Sequence, residues 1–373
     1  MAVPPRDKKG LRTGFTTGAC AAAAAKAAAR CLLTGATLSE IETTLPNRTR
    51  VTFKLARVEH SRGAVLCGII KDAGDDPDCT HGAEIVAEVA VSEAPGVHIL
   101  GGTGVATVTK PGLGLEVGTP AINAVPRRNI TEMVGEELAQ AGAAGLRVTI
   151  SVPGGEELAK QTSNARLGLL GGISILGTTG VVKPYSTAAY KASVVQAIDV
   201  AAERNTGCVV LTTGGKSEGY AVRLHPALLQ EAFIQMGDFV GVAARHAARR
   251  GFPRIVIVGM IGKLSKMANG KMQTHMAGSD VNLGLLAECA KDAGASAELC
   301  AEIEAANTAR HVLELCTRAG ITDLPTRVSA RAAREVARYA GRGLEVRAML
   351  VDFEGTLLAD ETARDTSAGG TTP

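Results

Sequence analysis

The sequence predicts an α/β protein made of two α+β-type domains, with a parallel sheet at the centre of the second. Three observations lead there. At 373 residues the chain is longer than one core ordinarily holds. Its first part offers one long helix followed by short strands, an α+β pattern. From residue 146 onward apolar strands alternate with amphipathic helices, and such alternation requires a parallel sheet covered on both faces.

In chain order, residues 1–10 carry Pro4, Pro5 and the Lys8/Lys9 pair and read as a mobile lead-in. Residues 17–33 predict a helix whose body is almost pure alanine, the strongest helix former. Short strands follow at 40–45, 49–56, 64–71 and 84–91. The TVTKPG and VPRRN segments are glycine- and proline-punctuated connections before a helix at 130–141. A boundary near residue 144 separates a first domain, 11–144, from a second, 145–359. In the second, strands at 147–152, 167–175, 208–212, 254–258 and 345–351 alternate with helices at 187–203, 226–236, 239–250, 281–293, 308–319 and 327–340. From about Asp360 the Thr/Ser/Gly-rich end reads as a disordered tail.

Composition narrows the function. Aromatic residues make up 3% of the chain and tryptophan is absent, which argues against a base-stacking nucleic-acid surface. A net charge of +3 is too small to imply a polyanion partner. The eight cysteines show no CxxC pair and no zinc-like spacing against histidine, so they read as reduced thiols of a cytoplasmic protein that binds no metal through them. Lys26 and Arg30 interrupt the alanine run that a secretory signal would need, and no apolar run is long and clean enough to span a membrane. Assembly into a homo-oligomer is compatible with all of this.

Several segments are suited to chemistry. The segment from Arg12, RTGFTTGACAAAAAKAA, places Thr16, Thr17 and Gly18 before the alanine helix; this is either an ordinary helix cap or an anion site at a helix N-terminus. Three strand ends run into glycine-rich turns: Gly171, Gly172, Ser174, Gly177, Thr178, Thr179 and Gly180; then Gly214 and Gly215; then Gly259 and Gly262. Ligands of open α/β sheets sit outside such ends, where glycine permits close approach. GMIGKLS is not a phosphate-binding P-loop, because Ile257 and Leu264 occupy its glycine and Ser/Thr positions. No run fits GxGxxG, since Thr107 stands where the third glycine would follow Gly102 and Gly104. An adenosine ligand without a polyphosphate remains compatible. In KDAGDDPD the aspartates lack the pattern of a calcium loop and favour a turn; if one is functional, Asp75 is the candidate proton acceptor. His81 and His275 are the other proton-transfer candidates, as imidazole titrates near neutrality.

The opening segment, KDAGDDPDCTHGAEI at 71–85, GGTGVATVTKPGLGLEVGTPAINAVPRRNI at 101–130, NARLGLLGGISILGTTGVVKP at 164–184 and GMIGKLSKMANGKMQTHM at 259–276 together resemble the cobalt-precorrin-5B C1-methyltransferase (CbiD) family of corrin biosynthesis. Ala124 and Asn129 depart from the proline and methionine of the family pattern, and LTTGGKSEGYA at 211–221 departs from a tyrosine-bearing form. The resemblance implies an S-adenosylmethionine-dependent C-methyltransferase that converts (cobalt-)precorrin-5B to (cobalt-)precorrin-6A in cobalamin biosynthesis. It implies a ribosomal-protein-S5-like first domain and a Rossmann-like second one; the strand-end reading then makes the three glycine-bearing turns the expected S-adenosylmethionine site. Its substrate is a tetrapyrrole with several carboxylates, which need spaced cations and amide donors. Lys110, Arg127, Arg128, Lys183 and Lys263, with Asn123 and the Thr16–Thr17–Gly18 cap, fall in the matching segments and are the substrate candidates; Arg12 and Lys266 lie there too. A nicotinamide-dependent tetrapyrrole reductase and a non-catalytic tetrapyrrole carrier are the rival readings.

Overall fold

The computed structural model describes residues 10–275, 280–341 and 343–365. The chain divides into two compact units between Ser186 and Thr187. The division falls later than the boundary expected near residue 144. The reason is pairing: strand 145–151 and the short strands up to residue 182 find their backbone partners in the first unit, not in the second.

The first unit runs β1 (Gly14–Phe15), α1 (Thr17–Thr34), β2 (Glu40–Thr44), β3 (Arg50–Lys54), β4 (Arg57–Ser61), β5 (Ala64–Ile70), β6 (Glu84–Val91), β7 (Gly96–Gly101), β8 (Gly104–Val105), β9 (Thr107–Val108), α2 (Ala124–Ala141), β10 (Gly145–Ser151), α3 (Gly155–Ala159), β11 (Leu169–Leu170), β12 (Gly172–Ile173) and β13 (Val181–Val182). A five-stranded sheet has the order β4-β5-β6-β10-β7, antiparallel except where β10 meets β7. α1 lies against β5, β6 and α2, with Ala19 to Ala25 and Ala27 to Ala29 buried. A helix apolar all round belongs inside a core, and its alanines let neighbours approach closely. Gly35 ends it in the left-handed conformation, donating to the Cys31 carbonyl. Where charge must pass through this core it is paired: Lys26 binds Glu136 at 2.8 Å and Arg30 binds Glu137 at 2.6 Å, both acids on α2. α2 begins six residues before the expected position, because Pro126 sits in its first turn, where the missing N–H costs nothing.

The strand expected at 167–175 is not part of the parallel sheet. It is split at Gly171, φ +84°, into β11, antiparallel to β9, and β12, parallel to β8. A Cβ on Gly172 would overlap the Gly104 backbone, so glycine here serves close packing within the first unit.

The second unit runs α4 (Thr187–Glu203), β14 (Val209–Thr212), α5 (Gly215–Leu224), β15 (Phe233–Gln235), α6 (Val240–Arg249), β16 (Arg254–Gly259), α7 (Ile261–Ala268), α8 (Leu283–Asp292), α9 (Ala297–Glu304), α10 (Ala309–Arg318), α11 (Leu324–Ala340), β17 (Glu345–Val351) and β18 (Leu357–Arg364). Its sheet has the order β15-β14-β16-β17-β18, parallel except for β18. Val209, Leu211, Ile255 and Ile257 face a core with α4, α6, α7 and α11, while Val210, Val256, Val258 and Met349 face Tyr220 and Ala221 of α5. The expectation of a parallel α/β sheet covered on both faces is met.

Two expectations fail here. The helix expected at 226–236 is a short 3₁₀ turn followed by β15, since buried Phe233 and Ile234 gain ladder bonds beside β14. The tail expected from Asp360 is, through Arg364, the last strand: Arg347 holds Asp360 at 2.6 Å and Arg364 holds Glu345 at 3.2 Å. Residues 1–9 of the lead-in and 366–373 of the tail lie outside the described residues.

Candidate active site

In the second unit the strand order itself makes a crevice. From β14 the chain passes through α5 to β15 on one side; β16, on the other side of β14, leads through α7 and on to β17. α5 and α7 cover opposite faces, so the connections after the neighbouring strands β14 and β16 part at their carboxyl ends. This is the switch point where open α/β sheets take ligands. Thr213–Gly215 form one lip and Gly259–Gly262 the other. A Cβ added at Gly214 or Gly262 would meet nothing within 4 Å, and at Gly215 only the Gln235 amide at 3.9 Å. Gly259 differs: its Cβ would lie 2.6 Å from Leu264 Cδ1, so it serves packing.

Polar groups surround this crevice. Ser217 Oγ accepts from the Thr213 N–H at 3.1 Å and donates to the Gly214 carbonyl at 2.8 Å, fixing the lip. The Gln235 amide donates to buried Glu218 at 2.8 Å, and the Tyr190 hydroxyl to the Gln235 carbonyl at 3.2 Å. Beyond β15, Asp238 accepts from Lys263 Nζ and from the Thr274 hydroxyl at 2.8 Å. Burial would raise the Asp238 carboxyl, but these two hydrogen bonds and the charges of Lys263 and His275 outweigh it and hold its pKa below the usual carboxylate value. His275 therefore lies at this end of the sheet. Asp238, Glu218, Gln235, Thr274 and Tyr190 were not singled out from the sequence. A helix read across 226–236 concealed the end of β15; the signal that could have exposed it was the apolar pair Phe233–Ile234 running into Gly237 and Asp238.

In the first unit the opening motif grips residues 174–180. Thr17 Oγ1 accepts from the Leu176 N–H at 2.9 Å and lies 3.2 Å from the Ser174 carbonyl, to which it donates. Gly18 N–H donates to the Leu176 carbonyl at 3.0 Å and Thr16 N–H to the Gly180 carbonyl at 3.0 Å. Thr16 Oγ1 caps the helix through the Ala19 N–H at 3.1 Å. The donors that would receive an anion are thus largely taken by the chain's own oxygens, and Thr16, Thr17 and Gly18 are buried. The expectation of an anion site gives way to a clamp. Gly177, φ +130°, passes so close that a Cβ would overlap Thr16. With Gly171, Gly172, Ser174, Thr178, Thr179 and Gly180 it belongs to the first unit, so these residues are not part of the parallel sheet that holds Gly214, Gly215, Gly259 and Gly262.

Two small clefts border the clamped segment. One, about 200 Å³, is lined by Thr16, Asp78, Thr80, Asn164, Ser174 and Leu176. The other, about 230 Å³, is lined by Leu113, Leu115, Asn123, Pro126, Gly177 and Thr178. Asn123 stands at the N-terminus of α2 with no side-chain cap bond, and no acidic residue lies in the first turn. Among the described residues Arg127, half-buried just beyond, makes no ion pair, whereas Arg128 lies 3.8 Å from Glu132. Lys110 donates to the Arg166 carbonyl at 3.2 Å, and Lys183 is exposed. The acidic run is a web of turns: Asp72 binds Arg12 and the Gly74 N–H, Asp75 accepts from the Arg12 N–H at 2.7 Å, Asp76 from the Tyr185 N–H at 2.8 Å, and Asp78 from buried Lys71 at 2.7 Å. His81 Nδ1 accepts from the Ala73 N–H at 3.0 Å.

This arrangement occurs in a chain with close relatives. Residues 4–184 match the family description CbiD, and residues 273–362 match CbiD, C-terminal domain. A protein of Leptospira borgpetersenii called cobalt-precorrin-5B C(1)-methyltransferase is 53% identical over 350 residues, covering 94% of this chain and 95% of its own. The chain belongs to the CbiD family. A Thermus thermophilus protein of the same name is 52% identical, with 98% of both chains covered. A crystal structure of a cobalamin biosynthesis protein (cbiD) from Archaeoglobus fulgidus is 31% identical over 69% of this chain and 80% of its own, with a TM-score of 0.38, too low to inform the fold. For this CbiD chain the residues expected to serve the cofactor divide between the units, four of them at the crevice of the second. No helix of the described residues is long and apolar enough to cross a membrane.

Proposed function

We propose that this chain is the methyltransferase that methylates C1 of (cobalt-)precorrin-5B, giving (cobalt-)precorrin-6A in cobalamin biosynthesis. The observation that carries the reading is identity above 50% to proteins of that name over nearly the whole chain. The methyl donor is S-adenosylmethionine, whose sulfonium supplies an electrophilic methyl group. The switch-point crevice fits its adenosine: Gly214 and Gly262 leave open space there, and Gln235 with Glu218 offers polar partners without the glycine pattern of a pyrophosphate site. We read the second unit as Rossmann-like and the first as ribosomal-protein-S5-like. Asn123 and Arg127, beside the cleft at α2, are the best placed to take a carboxylate of the macrocycle, with Lys110, Arg128 and Lys183 as lesser contributors.

The transfer itself asks chiefly for positioning. An electron pair of ring carbon C1 forms the new C–C bond, the C–S pair remains on sulfur, and S-adenosylhomocysteine leaves. The positive charge gained by the ring is discharged by loss of a proton. His275 is the better acceptor for it, since it stands beside Asp238 at the crevice end of the sheet, while Asp75 is engaged by Arg12. The eight free thiols support a reducing, cytoplasmic setting. The test is incubation with methyl-labelled S-adenosylmethionine and cobalt-precorrin-5B: label must appear at C1 of the product, and an unlabelled macrocycle would reject the proposal.

A further inference from the structure

At the crevice end of the second unit, two ammonium groups share the Thr274 carbonyl and only one of them has a carboxylate partner. Lys263, in the first turn of α7, reaches Asp238, and its Nζ lies 3.4 Å from the Thr274 carbonyl. Lys266, one turn further on, is only 5% exposed, and its Nζ donates to that same carbonyl at 3.1 Å. Asp238 is already engaged by Lys263 and the Thr274 hydroxyl, and no carboxylate pairs with Lys266 among the described residues. A buried ammonium left with a single carbonyl is an incompletely compensated charge, which proteins avoid because desolvation is costly. α7 adds to the excess: its first turn holds no acid and its N-cap, Met260, contributes no side-chain bond. Gly262, beside Lys263 in the same turn, opens onto empty space. Lys263 follows β16 and Asp238 follows β15, with β14 between these strands, so the ion pair spans the end of β14.

We propose that Lys263 and Lys266 form the seat of a ligand carboxylate, whose negative charge completes the cluster. On the reading that this unit binds S-adenosylmethionine, the carboxylate is that of the methionyl portion; an arm of the macrocycle carries the same chemistry. The seat places the amino-acid end of the donor toward β15 and α7, leaving the Thr213–Gly215 lip to the adenosine.

Ligand truncation tests this. S-adenosylhomocysteine carries the carboxylate, whereas 5′-methylthioadenosine keeps the nucleoside and thioether and lacks it. Calorimetry on Lys263→Met should show S-adenosylhomocysteine bound about tenfold more weakly and 5′-methylthioadenosine within about twofold of wild type. Lys266→Met, with a side chain suited to a buried site, should give the same pattern in protein that circular dichroism shows folded. A raised KM for the macrocycle with both nucleosides bound normally would assign the seat to a macrocycle arm. Equal weakening of both nucleosides, or unchanged S-adenosylhomocysteine affinity together with unchanged KM, overturns the seat. Failure of the underlying reading looks different: the wild-type protein would bind neither nucleoside, and the KM arm would then decide alone.

Discussion

Glycines that look alike in the sequence do different work at the scale of single residues. Gly214 and Gly262 border open space, whereas Gly259 and Gly177 are pressed against side chains. Gly262→Val should therefore leave the melting temperature close to wild type and weaken S-adenosylhomocysteine binding by about tenfold or more, because the branched side chain fills the crevice. Gly259→Ala should do the reverse, losing about 1–3 kcal/mol of stability as its methyl meets fully buried Leu264. Calorimetry and thermal melts on the two proteins separate the roles; wild-type affinity in folded Gly262→Val would remove the crevice from consideration. A buried ion pair in the first unit sets a pH response. Burial would raise the Asp78 carboxyl, but Lys71, 1% exposed, and the Thr80 hydroxyl and N–H outweigh it and hold the pKa below its ordinary value. A depressed folded pKa contributes stability above the unfolded value, and that contribution is lost as pH falls through the folded one. Urea midpoints should drop as the pH goes below about 4, and Asp78→Asn should lack that part of the dependence.

Among the elements, α1 shows what local physics can and cannot decide. Its span was legible to within a residue at its end, since alanine propensity, the threonine cap and the following glycine all agree. Its role was not, because a cap and an anion site use the same residues, and only the return of residues 174–180 onto the helix shows which donors are taken. Two substitutions follow from this. Thr16→Ala removes one cap bond and should cost about 1 kcal/mol with turnover of the folded enzyme intact. Thr17→Val keeps the shape but strands the Leu176 N–H, and should cost about 1–3 kcal/mol in a urea titration. A larger loss from Thr16→Ala than from Thr17→Val would contradict the clamp. β15 was illegible for a related reason: its three residues lie within a stretch that also suits helix spacing, and pairing with β14 decided the outcome.

For the whole molecule, the parallel sheet was legible because β14 and β16 are nearly continuous apolar runs and β17 ends in one, Ala348 to Val351, while the division between the units was not. Strand 145–151 reads like the start of an alternating α/β pattern, and only its pairing with β6 and β7 assigns it to the first unit. The candidate site was half legible in the same way. The glycines of the crevice stood out as sequence, but Asp238, Thr274 and Glu218 reach it through topology. This division yields a separation of ligands. If the nucleoside belongs to the second unit and Arg127 of the first takes a macrocycle carboxylate, Arg127→Ala should raise the KM for the macrocycle by about tenfold, the weight of one charge-assisted contact, and leave S-adenosylhomocysteine affinity unchanged. Arg128→Ala is the matched control: its side chain is 67% exposed and already 3.8 Å from Glu132, so a smaller rise is expected. Steady-state kinetics with varied macrocycle, beside calorimetry with the nucleoside alone, decides it. An Arg127→Ala enzyme with normal KM and weakened nucleoside binding would reverse the assignment, and the macrocycle's carboxylates would then have to be sought at Lys110 and Lys183.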